Sequence, residues 1–216
     1  MAGFGAWIAE GGVWVWAIGA IALVALGTIL ERFVQLVFRH SLDARAFMAE
    51  VESLVHAERI DQALDAVRGA GRSALGHMVR AGLVRANKGA EEIQSGLEEA
   101  ALEVVPAITR RTQALSGIAN IATLLGLVAT IHGMIMAFEL TQGQELLPAA
   151  EKQRLLGQAI TKAMYGAVLG LVVAIPTLAA HVYLGGVARK LLEEIDLYTL
   201  KLENLLVARA RSRAGR

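Results

Sequence analysis

Cysteine is absent from the chain, which excludes disulfides and thiolate metal sites and leaves the redox compartment unreadable. Proline occurs three times, and neither lysine nor arginine occurs before Arg32. The absence with the widest consequence is that of charge from three long stretches, Gly11 to Leu30, Thr112 to Phe138 and Ala163 to Val187. Each reaches the roughly 20 apolar residues that a helix needs to cross a bilayer at 1.5 Å rise. Enzyme signatures are missing too. There is no phosphate-cradling Gly-x-x-x-x-Gly-Lys run, no His-Glu-x-x-His and no Gly-x-Ser-x-Gly elbow, so neither a catalytic residue, a metal site nor a cofactor is expected.

What remains is apolar. Hydrophobic residues make up 55% of the 216, and mean hydropathy is +0.50, more apolar side chain than a soluble domain of this size covers with its own surface. A secretory signal is the competing reading of the first stretch, but it would need a basic flank and a small-residue cleavage site; Glu10 is the only early charge. Trp7, Trp14 and Trp16 cluster where interfacial aromatics belong. Lysine plus arginine number 21 against 20 acids, so nucleic acid is not an expected partner. The basic tail Arg209, Arg211, Arg213 and Arg216 faces membrane lipids instead.

The fold class expected is all-α, an integral membrane protein whose three transmembrane helices extend into a cytoplasmic helical domain. The divisions are an outer N-terminal segment at 1–10, the first span and its exit at 11–38, a cytoplasmic helical region at 39–111, the second span at 112–138, a short outer loop at 139–154, the third span at 155–188 and a cytoplasmic tail at 189–216. Arg32, Arg39 and Arg45 follow the first span, Arg110 and Arg111 precede the second, and Arg189 and Lys190 follow the third. The positive-inside bias then puts the N-terminus outside and the C-terminus inside. Apolar residues at three-to-four spacing mark helices in the polar region, as in Phe47, Val51, Leu54 and Val55 and in Leu75, Met78, Val79 and Leu83. Breaks are expected at Gly69 to Gly71 and at Asn87 to Gly89. From Glu91 the pattern of Leu97, Leu102, Val105 and Ile108 runs past Pro106 into the second span. Beyond the third span, Leu191, Leu192, Ile195, Leu202, Leu205 and Leu206 continue a stripe, so the membrane helices should project as a stalk.

Polar residues at membrane depth carry whatever chemistry there is. A proton relay usually needs a carboxylate or histidine facing the bundle interior, and none of the three stretches holds an Asp or Glu. If the assembly conducts protons, the main titrating group must come from another polypeptide. Thr130 lies about 12 Å inside the outer end of the second stretch, and Thr123 is seven residues earlier on nearly the same face. The two hydroxyls either bond to carbonyls one turn back or line a pore. His132, nearer the outer interface, is either a satisfied structural group or a titrating one. Tyr165 and Lys162 open the third stretch, where snorkelling explains both. Gly126 and Gly133, like Gly166 and Gly170, share a helix face and permit close backbone approach, within the chain or between copies. Pro176 removes one backbone hydrogen bond from the third span.

The segment Leu124-Leu-Gly-Leu-Val-Ala-Thr-Ile-His-Gly-Met-Ile-Met-Ala-Phe138 resembles the second membrane helix of the MotA/TolQ/ExbB proton channel family. Gly170-Leu-Val-Val-Ala-Ile-Pro176 resembles its third-helix signature, and Glu31-Arg32 its first-helix exit. The resemblance implies a bacterial inner-membrane subunit that forms a pentamer around a dimer of a single-span TolR/ExbD-like partner. That partner carries the proton-binding aspartate, in agreement with the missing carboxylate, and proton flow does mechanical work on the envelope. The threonine of the family's second-helix motif maps onto Thr130. Two departures stand out. The family commonly has threonine where this chain has Ala167, and often glutamate where it has Lys162; Tyr165 or His132 would then supply the replacement polarity. An oligomeric scaffold that uses the same glycine faces without conducting is the alternative from another class.

Overall fold

The computed structural model describes residues 12–38, 44–69, 73–142 and 148–214. The expected outer segment 1–10 with Trp7, as well as Arg39, Gly71, the connector tip at Gly143 and Arg216, lies outside them. Helix α1 runs Gly12–Phe33 and continues as a wider π-helical turn over Val34–Phe38. Three short helices follow: α2 Ala44–His56, α3 Ile60–Gly69 and α4 Ala74–Val84. Two long ones complete the chain, α5 Ala90–Gln142 and α6 Ala149–Ala214. Among the described residues there is no strand, and three helices are long and apolar enough to cross a membrane. The chain is an all-α membrane protein.

The two long helices exceed what a membrane crossing requires. At 1.5 Å per residue, the 53 residues of α5 and 66 of α6 extend about 80 and 100 Å, against the roughly 30 Å of a bilayer core. Both helices run through an internal proline, Pro106 in α5 and Pro176 in α6, without ending. The connection between them is shorter than 139–154, because Glu139–Gln142 stay helical and α6 is already under way at Ala149. Pro148 explains that start. It precedes the first helical position, where a missing N–H costs nothing, and its carbonyl accepts from Glu151 and Lys152.

The chain divides into two compact units, one from residues 1–31 and 113–182, the other from 32–112 and 183–216. The second unit is a polar-surfaced helical body with a core of its own. Val51, Val67, Val79, Ile93, Leu202 and Leu206 are fully buried in it. Of the expected stripe, Val51, Val55, Leu75, Met78, Val79 and Leu83 are buried, while Phe47 and Leu54 are half-buried. The α5 pattern needs correction. Leu102 is 78% exposed and Val105 points outward as well, whereas Ile93, Leu97, Ala100, Val104 and Ile108 form the buried row. A three-four alternation counted from Ile93 finds that row; counting from the bulkiest residues does not.

Caps and turns close this unit. Ser73 caps α4 by accepting from the Gly76 N–H at 3.0 Å. Gly89, at φ +125°, forms the turn into α5 where the Asn87 to Gly89 break is expected. At the end of α2, the Arg59 N–H donates to Leu54 O and the Glu58 N–H to Val55 O, with Glu58 in the left-handed region at φ 60°. Arg213 near the end of α6 reaches both turns, 3.6 Å from the Glu58 carboxylate and 3.0 Å from Asn87 Oδ1.

Truncating Leu202 or Leu83 to alanine should cost about 2–5 kcal/mol, since both are at most 1% exposed and would leave a cavity. Leu102→Ala should change stability by less than about 0.5 kcal/mol. Thermal unfolding of the detergent-purified chain measures both, and equal destabilisation by Leu102→Ala and Leu202→Ala would contradict the packing.

Candidate functional site

In the membrane unit, α5 and α6 pack along a seam of the smallest side chains. Ala119, Ala122, Gly126, Ala129 and Ala137 are buried on α5, and Ala163, Gly170 and Ala174 on α6. Side chains could not fit at several of these points. A Cβ at Gly126 would lie 2.9 Å from Gly166 O and 3.1 Å from Gly170 Cα; one at Gly170 would lie 2.7 Å from Ala122 O. Gly133 is closed by the Ala163 Cβ at 2.7 Å, and Gly166 by the Ala129 Cβ at 2.6 Å. The backbones therefore touch, as small residues permit in a membrane, where there is no hydrophobic drive to bring helices together. Ile21 of α1 and Val173 pack against the Ala119, Ala122 and Ala174 cluster. By contrast a Cβ at Gly117 would meet nothing within 4 Å.

The polar candidates are arranged around this seam. Thr123 and Thr130 lie three residues before and four after Gly126, so they flank the buried row on one side. Both hydroxyls donate one turn back, Thr123 to Ala119 O at 3.1 Å and Thr130 to Gly126 O at 3.0 Å. Their oxygens keep lone pairs for another donor. Thr123 is exposed and Thr130 half-buried within the chain.

His132 is not on that side. Two residues from Thr130 is about 200° around the helix, and its exposed ring packs instead on Trp14 of α1, with centroids 5.8 Å apart and planes at 59°. Tyr165 is likewise turned from the seam. It is about 200° from Ala163 and 38% exposed. Depth along the membrane suggested that His132 and Tyr165 could stand in beside Thr130; direction around the helix separates them. Ala167 does meet the seam, its Cα 3.2 Å from the Gly126 Cβ position, so a larger side chain at 167 would have to direct itself past Gly126.

Sequence reasoning passed over Thr177. It is 2% exposed, and its hydroxyl donates to Val173 O at 2.7 Å. It lies seven residues after Gly170 on the same face, directly after Pro176, and that spacing was the available signal. In the polar unit, a shallow cavity of about 280 Å³ is lined by His77, Arg80, Arg85, Glu99 and Glu103 among others. Its acids are already matched, Glu103 to His77 at 3.2 Å and Glu99 to Arg85 at 2.6 Å. No cluster of His, Asp and Glu among the described residues could hold a metal.

Residues 70–197 match the model of the MotA/TolQ/ExbB proton channel family, well over half of the chain. The chain belongs to that family. A comparison with curated proteins finds no match. The matched stretch of this MotA/TolQ/ExbB chain contains the whole seam and the threonine pair. Helix α1 and the end of α6 fall outside it. The protein is a membrane subunit of proton-channel type.

Gly126→Ala should destabilise the membrane unit by about 1–3 kcal/mol, because the added methyl meets backbone rather than a flexible tip. Gly117→Ala should be neutral or slightly stabilising, a helix propensity gain without a clash. Unfolding in mixed micelles distinguishes them; equal effects would argue against the close approach.

Proposed function

We propose that this chain is the shell-forming subunit of a proton-motive-force-driven motor in the bacterial inner membrane, a pentamer around a TolR/ExbD-like dimer. The chain contributes hydroxyls and helix walls, and the partner's single span contributes the aspartate that takes up and releases protons. Coupling that flow to movement of the partner performs work on the envelope, whether in transport, envelope integrity or motility. The observation that carries the reading is chemical: three spans of a proton-channel family member hold no Asp or Glu, while hydroxyl acceptors sit at Thr123 and Thr130. A path built only from hydroxyls can pass a proton along but cannot store one near neutral pH.

Within the path, Thr130 is the residue that meets the protonated acid, and Thr123 extends the stripe inward. His132 serves packing through Trp14. Tyr165 faces away from the seam, toward a neighbouring copy or lipid. The N-terminus lies outside and the C-terminus inside, following the arginines that flank the spans. Gly126, Gly133, Gly166 and Gly170 set the helix contact, which is made within the chain, while Pro176 is exposed beside it and shapes α6 through its missing N–H.

Reconstituted alone into vesicles, the protein should leak protons no faster than empty lipid. Co-reconstituted with an acid-bearing single-span partner, it should conduct. Thr130→Val should then lower flux about fivefold or more, the value of one hydrogen bond of about 1 kcal/mol, while His132→Phe should keep most of it. Selective current from the lone chain, or full flux in Thr130→Val, would sink the reading. Partner-dependent assembly without any flux would favour the scaffold.

A further inference from the structure

Arg32 is 3% exposed, a buried permanent cation in the polar unit at the exit of α1. Its Nη2 donates to the Ala107 carbonyl of α5 at 3.2 Å, and its Nε is buried without an acceptor. Among the described residues no carboxylate pairs with it. Buried charges are ordinarily matched, because taking an ion out of water costs several kcal/mol that only a counter-charge and full hydrogen bonding return. Arg85 of this unit is matched by Glu99, and Arg209, whose Nε and Nη1 also lack a hydrogen-bond partner, lies in the field of the Glu58 carboxylate. Arg32 has neither, and an anion from outside the described chain would complete it.

Three features on the page identify the source. Arg32 stands two residues past the uncharged stretch that ends at Leu30, the depth of lipid phosphates. Exposed Arg110 and Arg111 before the second uncharged stretch and exposed Arg189 and Lys190 after the third outnumber the exposed Glu31 beside Arg32, a balance that gathers anions. Beside it on α1, Phe33 and Val34 are 41% and 54% exposed, an apolar surface suited to an acyl chain. Ala107, whose carbonyl holds the guanidinium, is itself exposed, so the charge lies one side chain beneath the surface.

We infer that Arg32 is the seat of an anionic phospholipid of the inner leaflet, its guanidinium taking a phosphate oxygen at the unmatched Nε edge while an acyl chain lies along Phe33 and Val34. Reaching Nε requires neighbouring side chains to part, which a lipid resident against α1 does and a dilute solution anion does not. Arg32, Phe33 and Val34 themselves precede the stretch that matches the channel family, and the seat rests on the membrane placement of α1, not on the proton path.

The test is retention of lipid by the full chain in mild detergent, counted by native mass spectrometry, with phosphatidylglycerol, phosphatidylcholine and inorganic phosphate as probes. Wild type should hold phosphatidylglycerol preferentially. Arg32→Gln should weaken it about tenfold or more, the loss of one charge-assisted hydrogen bond, and Arg32→Lys should weaken it partially, because a point charge lacks the planar fork. Replacing both Arg110 and Arg111 by glutamine should change retention less than Arg32→Gln does. Equal retention by wild type and Arg32→Gln would overturn the inference. So would equal affinity for the two lipids, or displacement by millimolar inorganic phosphate, which would make the ligand a free anion. Should Arg32→Gln not insert, unchanged retention in Arg32→Lys is the overturning result. A merely structural arginine would lower the unfolding temperature in lipid-free detergent and leave the lipid preference intact.

Discussion

Backbone contact between α5 and α6 is the constraint on which the membrane unit depends. Gly126 meets Gly166 and Gly170 at distances where no Cβ fits, and alanines continue the contact at both ends. In lipid such a contact must supply what the hydrophobic effect supplies in water, through dispersion between closely matched surfaces. It also fixes the direction of everything else on those helices. With Gly126 turned inward, Thr123 and Thr130 are brought to one side and His132 to the other, so the seam decides which polar groups can share a path.

Much of this was legible in the sequence, and the part that was not has a physical reason. The three spans were evident because charge is excluded from hydrocarbon so strongly that its absence over 20 residues has few other meanings. Helices continuous beyond the apolar stretches were evident from the uninterrupted apolar period. The partners of the glycines were not. A seven-residue spacing specifies a face but not whether the surface opposite belongs to the same chain or to another copy, and here α6 fills it. Residues were also grouped by depth, which placed His132 with Thr130, although two positions on a helix point nearly opposite ways. Thr177 escaped because it reads as one polar residue in an apolar run, yet its spacing from Gly170 put it on the seam.

Arg32 shows a different limit. Its position after the first span marks orientation, the usual explanation for a juxtamembrane arginine. Burial is invisible in the sequence, because it depends on α5 lying against that turn and offering the Ala107 carbonyl. Basic residues that flank the spans thus differ in environment: Arg110, Arg111, Arg189 and Lys190 remain exposed, whereas Arg32 is buried with its Nε without a hydrogen-bond partner.

The hydroxyls of the seam have a polarity that bears on how a channel of this family can use them. Thr130 spends its hydrogen on the Gly126 carbonyl, so toward any approaching group it is an acceptor. A protonated carboxyl can donate to it; an ionised one can only accept, which requires the threonine first to give up its bond to the helix. The neutral acid is therefore the better partner by about one hydrogen bond, near 1 kcal/mol, and the ionised acid is repelled by the oxygen's lone pairs. That difference is small enough for thermal release and large enough to bias which state rests there. A motor needs this kind of asymmetry between loaded and unloaded positions. In this sequence it would rest on Thr130 alone at that depth, since the flanking position on α6 is Ala167, with no hydroxyl to compensate.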